Sequence, residues 1–167
     1  THRVHLAAEG FEPIPGSESR PIAWTGLRFE SERTCGEAYA AMPPNWAPRT
    51  VRVLISDLLW PGDPLPLMRR FAAGAAVCHV VQLLAEVDRA PPQRGNVRLI
   101  DSESGEAQEL FLDAGAERRY HEALNRQQQQ WQAACRQLGA TLTTLIAEDV
   151  RAGDLQPLVR NQLLTLV

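Results

Sequence analysis

The chain has 167 residues, of which 44% are hydrophobic and 22% charged, and its formal net charge is −3. This composition is typical of a globular domain with its own core. The acidic balance and the lack of a basic, aromatic stripe argue against a nucleic-acid partner. No apolar run of roughly 20 residues and no signal-peptide pattern is present, so we expect no membrane contact and predict a soluble, cytoplasmic protein.

The types and spacing of the basic residues and cysteines argue against several kinds of catalytic and metal site. All 17 basic residues are arginine, which excludes a P-loop lysine, a Schiff-base lysine and a lysine general base. The cysteines are odd in number and widely spaced, so neither a disulfide framework nor a zinc site is indicated. Cys78 and Cys135 fall at apolar positions and are predicted to be buried free thiols.

The first part of the chain is predicted to be largely irregular. Residues 2–8 favour a short strand, and the stretch from Glu9 to Leu27 is rich in proline and glycine, which is typical of a loop. A helix is predicted to begin at Ser31 and to end before Pro43.

The clearest pattern is a strand, a helix and a second strand. The run Val51–Asp57 is short, apolar and rich in β-branched residues, as in a strand buried on both faces. Asp63 is a suitable N-cap for a helix that extends to about Gly74. The apolar run Ala76–Leu84 is the second strand. The unit predicts a parallel pair with a right-handed crossover, and α/β sheets of this kind bind ligands at the carboxyl ends of their strands.

The remaining elements complete an α/β domain. Asn96–Asp113 favours a β-hairpin, Ala114–Leu138 a long helix, and Thr141–Ile146 a third buried strand. Gly153 and Asp154 are predicted to precede a last amphipathic helix that reaches Leu166. The run Gln127–Gln130 is interpreted as a solvated helix face.

Asp57 is the first candidate for a functional residue because it lies at the carboxyl end of a buried strand. There its carboxylate could ligate a divalent cation or orient a water molecule. The ordinary structural alternative is a turn residue that caps the loop Leu58–Gly62 through backbone N–H groups. The sequence leaves both interpretations open.

Other candidates are weaker. Asp101, Glu103 and Glu106 could suggest calcium, but their spacing does not match an EF-hand loop, and hairpin tips are commonly acidic. His79 lies within an apolar strand and is predicted to be a core histidine rather than a ligand.

Three tryptophans fall in predicted loops. They are either anchors for a protein partner or side chains folded back over the core. These residues are Trp24, Trp46 and Trp60.

The usual nucleophile and metalloprotease motifs are missing from the sequence, so an enzyme is the weaker hypothesis and no catalytic or cofactor-binding residue is assigned.

Several segments together resemble the bacterial family called domain of unknown function 58, whose members look like von Willebrand factor A domains. The segments are Val53–Leu59 with the capped helix after it, the strand Val77–Leu84, the hairpin Leu99–Glu106, and the helix that carries Arg119 and Tyr120. The resemblance covers Arg49 to Leu164 well and the first 48 residues loosely.

The resemblance implies a doubly wound, mostly parallel, Rossmann-like sheet with flanking helices and an inserted hairpin. The family's usual site holds Mg²⁺ on three loops, and Asp57 matches the aspartate of the third loop. Thr25 or Thr34 would fill the second loop. None of the seven aspartates begins the Asp-x-Ser-x-Ser of the first loop.

The resemblance therefore implies a partial von Willebrand A-like domain over residues 1–167, with residues 49–167 as its core. The first strands and the first metal loop would lie elsewhere in a longer protein. Mg²⁺ is expected only in that longer protein, and no cofactor is expected in this chain.

The resemblance also implies a function. It predicts a non-enzymatic protein-interaction module that works with a MoxR-type AAA+ ATPase, with Asp57 as a direct or outer metal ligand. The alternative is a flavodoxin-like hydrolase or phosphoryl-transfer enzyme that uses Asp57 together with Glu86 and Asp88, which follow the next strand. Without the first strand of the family's sheet, Val51–Ser56 would form an apolar edge, for which we predict self-association.

Overall fold

The computed structural model describes residues 2–14, 31, 33–90, 94–100 and 105–165. Its elements, in chain order, are β1 (His5–Ala7), β2 (Phe11–Pro13), α1 (Cys35–Ala41), β3 (Val51–Ser56), α2 (Leu65–Ala72), β4 (Val77–Leu84), α3 (Glu86–Arg89), β5 (Gly95–Ile100), β6 (Ala107–Leu112), α4 (Ala114–Gln137), β7 (Thr141–Ile146), α5 (Ala147–Arg151) and α6 (Gln156–Arg160). None of the helices in these ranges is long and apolar enough to cross a membrane.

The chain divides into two compact units. The first comprises residues 1–47 and 99–108, and the second comprises residues 48–98 and 109–167. The second unit contains the parallel sheet.

A small hairpin in the first unit corrects the predicted loop between Glu9 and Leu27. β1 pairs antiparallel with β2, with Leu6 opposite Glu12, whereas residues 2–8 were predicted to form one longer strand. Gly10 allows Met42 to approach the backbone of the hairpin, because a Cβ at position 10 would lie only 2.5 Å from the Cβ of Met42. Residues 15–27 of the predicted loop lie outside the described residues.

Aromatic rings hold this unit together. The buried Phe11 packs edge-on against Tyr39 and Trp46, with ring centroids 5.4 and 6.1 Å away. His5 also meets Trp46 edge-on. Such edge-on ring contacts stabilise this small core in addition to the burial of apolar surface.

Helix α1 begins later than predicted. Thr34 is its N-cap: the Thr34 side chain accepts a hydrogen bond from the Glu37 N–H, and the Glu37 carboxylate accepts one from the Thr34 N–H at 2.8 Å. This reciprocal capping box satisfies N–H groups at the helix start, so the boundary lies at Cys35 rather than at Ser31.

The strand–helix–strand prediction is confirmed in the second unit. β3 and β4 are parallel, with Val51 opposite Val77 and Ser56 opposite Gln82. β7 also runs parallel to β4, so the sheet order is β3–β4–β7. The structure is a mixed α/β fold with a parallel three-stranded sheet and flanking helices.

The prediction that β3 is buried on both faces is wrong. Its burial alternates: Arg52 and Leu54 are buried, whereas Val51, Val53 and Ile55 are exposed. The composition of the run could not distinguish these faces because both carry apolar residues. β4, in contrast, is buried over most of its length, as predicted.

Helices α2 and α4 supply the core of the second unit. Met68 and Phe71 on α2, and Trp131 and Cys135 on α4, are all buried. α4 follows the predicted helix closely and ends before Gly139, whose φ of 66° suits a glycine after a helix. The two predicted buried thiols are confirmed as free cysteines, and burial raises the pKa of Cys78 to about 11 and that of Cys135 to about 12.

Arg52 of β3 forms hydrogen bonds with the carboxyl end of α2. The buried Arg52 guanidinium donates from Nη1 to the carbonyls of Phe71, at 2.7 Å, and Ala73, at 2.9 Å. These carbonyls belong to the last turn of α2, where a cation is favoured by the helix dipole and satisfies groups that lack a helical partner.

The hairpin prediction is confirmed, since β5 and β6 form a two-stranded sheet, although the tip residues 101–104 lie outside the described residues. The last helix is shorter than predicted, because α6 spans only Gln156–Arg160. Asp154 lies before it, as predicted, and accepts from the Gln156 N–H, and Gln162 with φ of 59° lies beyond its end. The five-residue helix α5, which ends before Gly153, was not predicted.

The Trp131 side chain, 2% exposed, should be the largest single contributor to this core. We expect Trp131→Ala to lower the free energy of unfolding by about 3–5 kcal/mol, since it removes a large buried side chain and leaves a cavity. The neighbouring exposed Gln130→Ala should change it by less than about 0.5 kcal/mol. Urea unfolding followed by circular dichroism measures both, and equal effects would contradict this description of the core.

Asp113 predicts a defined dependence on pH. It is the N-cap of α4, and the hydrogen bond from the Ala116 N–H, aided by Arg119, holds its pKa below the usual 3.8. The charged cap therefore stabilises the fold above the unfolded-state pKa, and this contribution is lost as pH falls through the lower folded-state pKa. Asp113→Asn keeps an acceptor but does not titrate. The stability difference between the two proteins in urea should shrink as pH falls from about 6 to about 2, and a difference independent of pH would contradict the assignment.

Candidate functional site

The carboxyl ends of the three parallel strands bring acidic residues to one edge of the sheet. Asp57 follows β3, Glu86 and Asp88 lie just after β4, and Glu148 and Asp149 follow β7. This is the edge at which open α/β sheets usually bind ligands. It is the candidate site, and the structure places Asp57 there as predicted.

The Asp57 side chain caps its own loop. Its Oδ1 accepts from the Leu59 N–H at 3.1 Å and from the Ser56 hydroxyl at 3.3 Å. The Ser56 hydroxyl oxygen in turn accepts from the Leu58 N–H at 3.2 Å. Leu58 has φ of 59° and is fully buried, so the chain turns sharply there. The turn-capping interpretation of Asp57 is thus present in the structure.

Capping leaves part of the carboxylate available. Asp57 is exposed, and among the contacts of the described residues only its Oδ1 takes part in hydrogen bonds. The group therefore stays an acceptor at the surface. Its assignment as a metal ligand stays a prediction.

Two glutamines hold the loop from the side of the core. Gln82, only 1% exposed, donates from Nε2 to the Asp57 carbonyl at 3.0 Å. Gln127 on α4 donates from Nε2 to the carbonyls of Leu58, at 2.5 Å, and Trp60, at 2.9 Å. These bonds fix the backbone of the loop on both sides of Leu58.

The prediction that Gln127–Gln130 form a solvated helix face is therefore wrong for its first half. Gln127 and Gln128 are half-buried and hydrogen-bonded to the rest of the unit, whereas Gln129 and Gln130 are exposed. A run of one residue type hides the helical periodicity that would have separated the inner from the outer positions.

A polar groove of about 260 Å³ lies beside this network. Two of its lining side chains donate to the Gln82 Oε1: Gln128 Nε2 at 3.0 Å and Thr144 Oγ1 at 3.1 Å. The lining residues come from α4 and β7: Asn125, Gln128, Gln129, Gln132, Leu142 and Thr144. The lining side chains among the described residues are uncharged, and they offer hydrogen-bond donors and acceptors.

The other acidic residues at this edge are engaged locally. Glu86 pairs with Arg89 at 2.6 Å, and the Asp88 carboxylate accepts from the Ala85 N–H at 2.9 Å. Glu148 accepts from the Glu86 N–H at 2.9 Å and so connects the ends of β4 and β7. Within the described ranges, no group of three histidine, cysteine, aspartate or glutamate side chains could hold a metal ion.

The two loop tryptophans within the described ranges, Trp46 and Trp60, fold back onto their own units. Trp60 meets the buried Trp131 edge-on, with ring centroids 5.4 Å apart, and Trp46 is part of the aromatic cluster of the first unit. Trp24 lies outside the described residues.

The remaining candidates include one residue with a clear structural role and one in the core. Thr34 is the N-cap of α1, and His79 is buried within β4 as predicted. Thr25, Asp101 and Glu103 lie outside the described residues, and Glu106 is exposed before β6.

The fold and the site define an α/β protein with a parallel sheet that has acidic residues at the carboxyl ends of its strands. A comparison with protein families then identifies the family to which the chain belongs. The family model described as "Protein of unknown function DUF58" matches residues 32–130. The match covers more than half of the chain, so the chain belongs to this family. Comparisons with curated proteins and with solved structures give no match.

Gln127 should determine how rigid the Asp57 loop is. We expect Gln127→Ala to destabilise the fold by about 1–3 kcal/mol, because the carbonyls of Leu58 and Trp60 lose their donor. The amides of Leu58 and Leu59 should also exchange faster with solvent than in the native protein. Hydrogen exchange measured by mass spectrometry tests this, with Gln130→Ala as the matched exposed control. Unchanged exchange in the loop would show that Gln127 does not hold it.

Proposed function

We propose that this chain is a non-enzymatic protein-interaction module of a von Willebrand factor A-like protein, and that its partner is a MoxR-type AAA+ ATPase. The observation that carries the proposal is the exposed Asp57 carboxylate at the carboxyl end of β3. In this proposal Asp57 forms part of the surface that meets the ATPase.

Two further features support an interaction role. Membership of the family gives the resemblance to von Willebrand A-like proteins its weight. The loop that carries Asp57 is also held by Gln82 and Gln127, so its carboxylate is presented from a preorganised backbone. Preorganisation favours binding because less freedom is lost when the partner docks.

Mg²⁺ is the ion that the resemblance implies, but the described residues do not fit a complete site for it. Mg²⁺ requires near-octahedral oxygen coordination, and the part of the chain that is described contains no group of three histidine, cysteine, aspartate or glutamate side chains that could hold it. Asp57 could supply one ligand only. The proposal therefore takes no step through a metal and assigns Asp57 to binding as a charged acceptor.

Asp57→Asn tests the role of this carboxylate. The amide oxygen can still accept from the Leu59 N–H, so the loop should persist while the negative charge is lost. We expect the dissociation constant for the ATPase to rise at least about tenfold, which is about 1.4 kcal/mol. Titration calorimetry with purified ATPase measures it. Asp63→Asn is the matched control, because Asp63 accepts from the Leu65 N–H in the same i to i+2 geometry.

Four outcomes are informative. Equal binding by both variants, or no binding by the native protein, would overturn the proposal. Loss of binding in excess chelator would show that the complex requires a divalent metal, held either by this chain or by the ATPase. Hydrolysis of a phosphate ester that Asp57→Asn abolishes would favour the phosphoryl-transfer alternative, for which the locally engaged Glu86 and Asp88 give no support.

A further inference from the structure

The polar groove between α4 and β7 is lined mainly by side-chain amides. Four of them lie at positions i, i+3, i+4 and i+7 of α4 and therefore share one face of the helix. We call this set the amide stripe: Asn125, Gln128, Gln129 and Gln132. Arginine and glutamate occupy exposed positions elsewhere on α4, so the uncharged amides set this stripe apart from the rest of the helix surface.

The size and polarity of the groove restrict what it can hold. Besides the amides, Thr144 contributes a hydroxyl and the half-buried Leu142 an apolar side chain. The volume of about 260 Å³ lies just below the range of roughly 300–1,000 Å³ that drug-sized ligands occupy. An ion would lose hydration there without gaining a charged partner from the lining. The lining therefore fits a small, uncharged occupant.

The hydrogen-bonding capacity of two lining side chains defines the chemistry further. Gln128 Nε2 has two protons and donates one to Gln82 Oε1, while its own Oε1 takes part in no hydrogen bond among the described residues. Thr144 donates its only hydroxyl proton to Gln82 Oε1, so its oxygen can still accept. Donors and acceptors thus lie side by side, which complements a peptide or carboxamide group, since such a group carries one C=O and one or two N–H bonds.

We propose that the groove binds an uncharged, amide-bearing ligand of one or two peptide units, and that its occupancy restrains the Asp57 loop. A ligand C=O accepts the second Nε2 proton of Gln128, and the adjoining ligand N–H donates to Gln128 Oε1, so that the two amides form a reciprocal pair. A further ligand N–H donates to Thr144 Oγ1. Leu142 packs against the aliphatic part of the ligand.

Gln82 connects the groove to the Asp57 loop. It is 1% exposed, its Oε1 accepts from Gln128 and Thr144, and its Nε2 donates to the Asp57 carbonyl at 3.0 Å. A ligand N–H on the Thr144 oxygen strengthens the bond that Thr144 donates to Gln82, because successive hydrogen bonds polarise one another. Occupancy therefore restrains Gln82 and the backbone that it holds. The effect is reciprocal, so a restrained loop also favours the bound ligand.

A matched pair of ligands tests the site. N-acetylglutamine methylamide is uncharged, whereas N-acetylglutamate methylamide has nearly the same shape and a carboxylate that is ionised at about pH 7. Titrations are followed through the side-chain amide signals of Gln82 and Gln128 in heteronuclear NMR spectra. We expect saturable shifts with the first ligand and at least about tenfold weaker binding of the second. Equal binding of the two, equal binding of glucose, or no saturation by the neutral ligand would overturn the site.

Gln129→Ala tests the amide stripe without removing a partner of Gln82. The side chain is exposed, so the fold should tolerate alanine, and we expect the neutral ligand to bind about fivefold more weakly. Gln130→Ala is the matched control, because Gln130 is exposed on the same helix but does not line the groove. Equal affinities of the two variants would show that the stripe is not the binding surface.

Hydrogen exchange tests the restraint of the loop. At saturation with N-acetylglutamine methylamide, the amides of Leu58 and Leu59 should exchange at least about threefold more slowly than in the free protein. Thr144→Val keeps the β-branched shape but removes the hydroxyl, so most of this slowing should be lost at equal saturation. Unchanged exchange in the native protein, or full slowing in Thr144→Val, would overturn the coupling. All these measurements use the chain alone, so their outcome is independent of the proposed ATPase partner.

Discussion

The parallel pairing of β4 on both of its sides is the constraint on which the second unit depends. Parallel neighbours cannot be joined by tight turns, so each strand must be followed by a crossover that returns to the start of the next. Helix α2 makes the first return, and the second contains β5, β6 and α4. The two main helices supply Phe71 and Trp131 to the core. The same constraint brings the carboxyl ends of β3, β4 and β7 to one edge, so the fold itself assembles the candidate site.

Gln82 connects this edge to the core. Burying a side-chain amide costs free energy unless both its nitrogen and its oxygen form hydrogen bonds. In Gln82 both atoms do so. Its Nε2 holds the Asp57 carbonyl, and its Oε1 receives the side chains of Gln128 and Thr144. One side chain of the central strand therefore joins the loop after β3, the long helix and the outer strand β7. The hydrogen bonds that satisfy this buried amide therefore also fix the position of the Asp57 loop.

Much of the second unit could be predicted because its signals are local and strong. The apolar runs of β4 and β7 and the helical spacing of α4 gave elements close to those observed. The predicted N-cap of α2, Asp63, was wrong by one residue, because the N-cap is Pro64 and the helix begins at Leu65. The predictions were wrong where the same residues are compatible with more than one local structure. The capping box of Thr34 and Glu37 overrode an earlier start for α1, and the hairpin at Gly10 was hidden in a stretch whose glycines and prolines suggested a loop. Asp57 could be found from its place after a strand, but Gln82 and Gln127 could not. Their partners are backbone carbonyls distant in the sequence, and such contacts leave no pattern.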